Sequence, residues 1–243
     1  TVPIAGPTGG ELILYSPTGN KTTTLSGTIT ATGIYKMGVS QLAISGDNRG
    51  TLTGDLIVGS INTAQQGWTW LANQYALGGS TTNPYQAGNN AVLSNASFLN
   101  NLNTWVQSNV VVNSDSLIGG LAGNTSAMTN LVVNGYGTGA SNPFNTPVNV
   151  WEAQNSTLEF FGNAQLNNGP VSFRIDNNLI VFGGLTGNTA SIQKWGGGLL
   201  AIAGSSTLSA NPSIGLYQGT TQVYNGIVGQ APLGSGSIAV YPG

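Results

Sequence analysis

Apolar positions return along this chain in a short alternating unit. A branched apolar residue is followed by any residue, a second apolar residue, any residue, then Gly or Ser. The unit reads Val110-Val-Val-Asn-Ser114, Leu131-Val-Val-Asn-Gly135, Leu158-Glu-Phe-Phe-Gly162, Leu179-Ile-Val-Phe-Gly183 and Leu200-Ala-Ile-Ala-Gly204, and more loosely Gln222-Val-Tyr-Asn-Gly226. Successive starts are 21, 27, 21, 21 and 22 residues apart. Leu12-Ile-Leu-Tyr-Ser16 and Leu42-Ala-Ile-Ser-Gly46 are earlier, less regular copies. Apolar residues two apart share one face of a strand, and the closing Gly takes the bend that follows. A unit of this length is too short for a strand–helix–strand crossover but suits one turn of a coil of short strands. A single turn cannot bury its own apolar face. Stacked at roughly 4.8 Å per turn, successive turns form parallel ladders around a dry interior. The pattern therefore predicts an all-β parallel β-helix, a solenoid of about ten turns at that spacing, on the order of 50 Å long.

The rhythm breaks between residues 62 and 109. Phe98, Leu99, Leu102, Trp105 and Val106 fall at i, i+1, i+4, i+7 and i+8, the spacing of one helix face, with Ser94 or Asn95 as the N-cap. Residues 69–77, followed by Gly78-Gly79, read as a second short helix with a glycine C-cap. The expected organisation is thus N-terminal solenoid turns over 1–61, a small partly helical Asn- and aromatic-rich insertion over 62–109, and a regular β-helix over 110–243. Exposed aromatics of the insertion, Trp68, Trp70, Tyr75 and Tyr85, form a candidate interaction surface, because aromatics stack on sugars and anchor protein interfaces. The competing expectation is that they pack the insertion onto the coil.

Composition sharpens this picture. Charged residues are 5% of the 243, against about 25% in ordinary domains. Gly, Asn, Thr and Ser number 37, 28, 26 and 22, which suits bends and strands and lets Asn side chains stack in ladders from turn to turn. With 40% hydrophobic residues and a net charge of −2, the chain should fold rather than stay disordered. Five basic residues give no nucleic-acid footprint. No apolar run reaches the roughly 18 residues of a membrane span. Low charge further predicts a stability indifferent to pH.

Catalytic chemistry is narrowly bounded. The absence of His and Cys removes Ser–His–Asp and Cys–His catalysis, imidazole or thiolate metal sites, and disulfides. Carboxylate chemistry of the glycan-cleaving kind would have to use Glu152, Glu159, Asp176 and Arg174; Glu152 and Glu159 are seven apart, and Glu159 and Asp176 are 17 apart against a period near 21, so neither carboxylate pair is in register. Asp47-Asn48-Arg49-Gly50 reads as a turn with a local ion pair, with too few carboxylates for calcium. Asn20, Asn95, Asn124 and Asn155 begin glycosylation sequons, which an Asn-, Ser- and Thr-rich chain produces by chance. The expectation is a protein without enzymatic activity, cofactor or metal.

Residues 171–240 resemble the passenger-associated repeat of bacterial autotransporters. The likeness rests on Asn178-Leu-Ile-Val-Phe-Gly-Gly-Leu-Thr-Gly187, Ile192-Gln-Lys-Trp-Gly-Gly-Gly-Leu-Leu-Ala-Ile-Ala-Gly204, Ser213-Ile-Gly-Leu-Tyr-Gln-Gly219 and Pro232-Leu-Gly-Ser-Gly-Ser-Ile-Ala-Val240. Lys194 with Gly196 to Gly198 matches the opening of the repeat, and Leu233-Gly234-Ser235-Gly236 its close, while Trp195 and Ala201 depart from it. The resemblance implies secretion across an outer membrane and a right-handed β-helix displayed at the cell surface. Together with the uncharged surface it points to a non-enzymatic adhesin or matrix protein, partnered by itself in filaments or by surface glycans and other cells, as in a biofilm scaffold. A receptor-binding secreted effector and a β-helix polysaccharide lyase or hydrolase are the alternatives.

Overall fold

The computed structural model describes residues 4–6, 9–16, 19, 21–59, 67–80, 82, 83, 86–135, 150–152, 156–209, 212–223 and 237–241. Every strand pairing within them is parallel, and the strands stack in three long ladders that wind as a β-helix. Sheet 1 is built from Thr22–Leu25, Gln41–Ile44, Thr69–Leu71, Ser97–Asn100, Ser116–Gly120, Val150–Glu152, Val171–Ile175, Ser191–Trp195, Ser213–Leu216 and Ile238–Val240. Sheet 2 is built from Leu12–Ser16, Ile34–Gly38, Leu56–Gly59, Asn90–Ser94, Asn109–Val112, Leu131–Gly135, Ala164–Asn168, Leu185–Gly187 and Thr207–Leu208. Sheet 3 joins in the C-terminal half, with Thr125–Met128, Thr157–Phe160, Asn178–Val181, Leu199–Ile202 and Thr220–Val223. A short pair, Ile4–Ala5 with Ile29–Thr30, lies at the N-terminal end.

The alternation read from the sequence sets what faces inward. Leu158 and Phe160, Leu179 and Val181, and Leu200 and Ile202 are buried in register on sheet 3, 21 residues apart. Val110 and Leu131 are stacked in the same way on sheet 2. The 27-residue step from Leu131 to Leu158 is therefore a change of sheet, since Leu131 pairs with Ala164 on its own ladder. The last copy is shifted by one, because Thr221, not Gln222, pairs with Leu200.

A void of about 10 Å³ beside Phe173, Lys194, Leu200 and Ile214 has room for one water at most. Tight corners make the close stacking possible. Gly187 has φ +108, and a Cβ on it would sit 2.1 Å from the Leu166 carbonyl oxygen of the turn below.

Residues 67–109 correct one expectation. The two helices are absent from the described residues: Thr69–Leu71 and Ser97–Asn100 are strands of sheet 1, paired with each other and with the turns on either side. Phe98 and Asn100 point in while Ser97 and Leu99 are half-buried on the outside. Asn95, chosen as a helix cap, instead has φ 50 and turns the chain between Asn90–Ser94 and Ser97–Asn100. Asn100 explains why the helical spacing misled. Its side chain, a polar interruption of the apolar pattern, is buried and donates to the carbonyls of Thr104 at 3.0 Å and Ala127 at 2.9 Å. Sheet 2 also runs unbroken from Leu12 to Leu208, so the N-terminal and C-terminal turns share one ladder.

Candidate interaction surface

Outward side chains of a parallel coil line up in columns, one residue per turn, and three such columns dominate sheet 2. The central one runs Ile13, Tyr35, Ile57, Val92, Val111, Val132, then Gln165, Thr186 and Thr207. On one side of it lies an amide ladder. Asn90 donates through Nδ2 to Asp55 at 3.1 Å, Asn109 to Asn90 at 3.0 Å and Asn130 to Asn109 at 2.8 Å, and Asn130 Oδ1 accepts the Asn163 backbone N–H. On the other side Asn134 donates to Asn113 at 2.6 Å and Asn167 to Asn134 at 3.1 Å. These are the Asn stacks that the composition suggested.

Sheet 1 carries an aromatic column. Leu117, Trp151, Arg174 and Trp195 are successive register partners. Trp195 stacks on Tyr217 with ring centroids 3.9 Å apart, and Tyr217 on Tyr241 at 4.5 Å. The Arg174 guanidinium stands 5.0 Å over the Trp151 ring and binds Asp176 at 3.1 Å, and Trp151 Nε1 donates to Asp176 at 2.6 Å. Because these rings stack along the coil axis, their faces are spent on one another. A smaller aromatic group, Trp105, Phe161 and Phe182, lies beside sheet 3, with centroids 5.7 and 5.9 Å apart.

The aromatics selected from the sequence do not form one cluster. Trp68 and Trp70 are half-buried at the start of Thr69–Leu71, with Trp70 between Ala43 and Leu99 in the outer register. Tyr75 sits in the following turn under the Arg49 guanidinium, 3.8 Å from its ring centre, and Arg49 is in turn held by Asp47. Tyr85 lies outside the described residues.

The four candidate catalytic residues are likewise separated by side. Arg174 and Asp176 face out and neutralise each other. Glu159 is outward on sheet 3, between Ala127 and Ile180. Glu152 points inward between Ile118 and Ile175, fully buried, with Oε2 accepting the Asn177 N–H at 2.9 Å. Burial drives its pKa up to about 7, so the group is neutral in mildly acidic solution and about half ionised at neutral pH.

Two lysines are buried as well, and neither position shows in the apolar pattern. Lys194 donates to the carbonyls of Gly196 at 2.5 Å, Gly198 at 2.7 Å and Gln218 at 2.8 Å, all three of its donors. Lys36 donates to Gly38 at 2.7 Å and to Gly67 at 3.0 Å. Burial lowers both to about 8, leaving them protonated at neutral pH as those bonds require. The Lys-x-Gly spacing at 194–196 and 36–38 is the one sequence signal of this role. No protein-family model, curated protein or solved structure matches the chain.

Proposed function

We propose that this chain is a non-enzymatic surface or matrix protein of the bacterial cell exterior, exported as an autotransporter-like passenger and acting through its lateral faces in adhesion or self-assembly. The observation that carries this reading is the outer face of sheet 2, where Val92, Val111 and Val132 repeat at the turn spacing between two amide ladders and the strands from Asn90 onward carry no ionisable side chain. A rigid face of that kind offers many identical weak contacts, and their sum favours extended or repetitive partners over a small substrate. The placement of the carboxylates supports the same reading: Glu152 is turned into the core, and Asp176 is held by Arg174 and Trp151.

Adhesion of purified protein to bacterial cells and to a glycan array tests it, alongside turnover assays on acidic polysaccharides. Retained binding without polysaccharide cleavage is the expected result. Cleavage that Asp176→Asn abolishes would replace this reading with the lyase or hydrolase alternative. In the same assays, Trp68→Ala and Trp70→Ala should reduce binding with the fold intact if these rings are contacts, and should lower thermal stability if they only pack.

A further inference from the structure

The solvent face of sheet 2 has a symmetry that bears on what covers it. Val92, Val111 and Val132 form its apolar ridge. Asn109 and Asn130 flank the ridge on one side, and Asn113 and Asn134 on the other. From the structure we infer that this face is a pairing surface for a second copy of the same chain, packed sheet to sheet. The inference rests on the reading of the protein as one that works through its lateral faces.

A face-to-face pair needs a two-fold axis in the plane between the sheets, and an isologous interface must be complementary to itself. Rotation about an axis along the coil, or about one along the strands, brings valine ridge onto valine ridge and amide ladder onto amide ladder. The pattern meets both cases. Asn109, Asn130 and Asn134 each donate one N–H to the neighbouring turn, and an amide has a second N–H and a further acceptor lone pair to offer the facing ladder. Like charges across an interface oppose association, and strands Asn90–Ser94, Asn109–Val112, Leu131–Gly135 and Ala164–Asn168 present none. The apolar column runs over six of the nine strands, from Ile13 to Val132; at about 4.8 Å per strand and a width of roughly 20 Å these give a footprint on the order of 500 Å², the size of a weak pairing, below the ~800 Å² per partner of a standard specific interface. A polymeric glycan could lie along the ridge, but it would present no matching pair of amide rows.

The absence of cysteine makes the test direct. Val111→Cys introduces a single thiol at the middle of the ridge, and Ile180→Cys places one on the outer face of sheet 3. At tens of micromolar the unmodified chain should sediment as a dimer. Mild oxidation should convert Val111→Cys to a covalent dimer at least tenfold faster than Ile180→Cys, and Val111→Lys should sediment as a monomer with an unchanged circular dichroism spectrum. A monomeric unmodified chain, equal cross-linking of the two cysteine variants, or undiminished association of Val111→Lys would overturn the inference. If Val111→Lys does not fold, the near-isosteric cysteine variant decides alone. A monomer that still adheres to cells or glycans removes the pairing and leaves the surface-protein reading standing, whereas a dimer that adheres to nothing keeps the pairing and removes adhesion from that reading.

Discussion

Lys194 reaches across one turn of the coil to bind the carbonyl oxygen of Gln218 at 2.8 Å. With the Gly196 and Gly198 carbonyls it closes a cage in which an ammonium ion replaces backbone donors at a corner. Lys194→Met keeps the apolar stem and removes the donors. Three hydrogen bonds are lost, although the Gly198 carbonyl keeps the Thr220 N–H, while the cost of burying a charge disappears, so the net loss should be roughly 2–4 kcal/mol. Lys36→Met strips two carbonyls and should cost less. Urea unfolding of both variants checks the order.

Stability should fall as pH rises from about 4 to about 7. Burial raises Glu152 to about 7 and Asp115 to about 6, against ordinary carboxyl values near 4. Between those values the folded chain binds more protons than the unfolded one, so the stabilisation is complete below about pH 4 and is lost by about pH 7, with Glu152 alone contributing about 3 kcal/mol. Lys36 and Lys194, near 8, titrate above this window. This replaces the indifference to pH suggested by low charge, because buried Glu152 and half-buried Asp115 outweigh many exposed neutral residues. Thermal melts at pH 4 and 7 should differ for the parent chain and differ much less for Glu152→Gln.

Two glycines should respond oppositely to alanine. In Gly187→Ala the new Cβ would meet the Leu166 carbonyl oxygen at 2.1 Å in a left-handed backbone conformation, so adjacent turns must part and the variant should lose about 3 kcal/mol or fail to fold. Gly197 has nothing within 4 Å of the added atom, and Gly197→Ala should melt within a degree or two of the parent. A matching loss at both positions would contradict the stacking at Gly187.

Phe98→Ala and Leu99→Ala separate strand from helix at 97–100. Phe98 is fully buried and Leu99 lies on the outer face. The first should cost about 3–5 kcal/mol and the second under about 1.5 kcal/mol. Comparable losses at both, as two neighbours on one buried helix face would show, would contradict the strand.

The repeat at Val110, Leu131, Leu158, Leu179 and Leu200 made the architecture legible, because alternation within a strand and a bend after it are local properties that each short segment expresses by itself. The Asn ladders were foreseeable from composition for the same reason: a residue suited to bends recurs once per turn, and the turn aligns it. Sequence alone thus determined that the chain coils in parallel strands, and that Leu158 and Phe160 belong inside.

Only the stacked structure decided which ladder each copy joins and which side a polar residue takes. The step from Leu131 to Leu158 changes sheet, and nothing within either pentapeptide records that. Glu152 faces in while Arg174 faces out, although both are charged residues on neighbouring strands of sheet 1. Trp195, Tyr217 and Tyr241 touch only because three successive turns bring them into one column. Phe98 to Val106 imitated a helix, and partners 20 to 30 residues away made strand and turn of it. The physical reason is common to all four. In a parallel coil nearly every backbone hydrogen bond is made to another turn, so the side a residue faces is set by a register that its own neighbours in sequence do not carry.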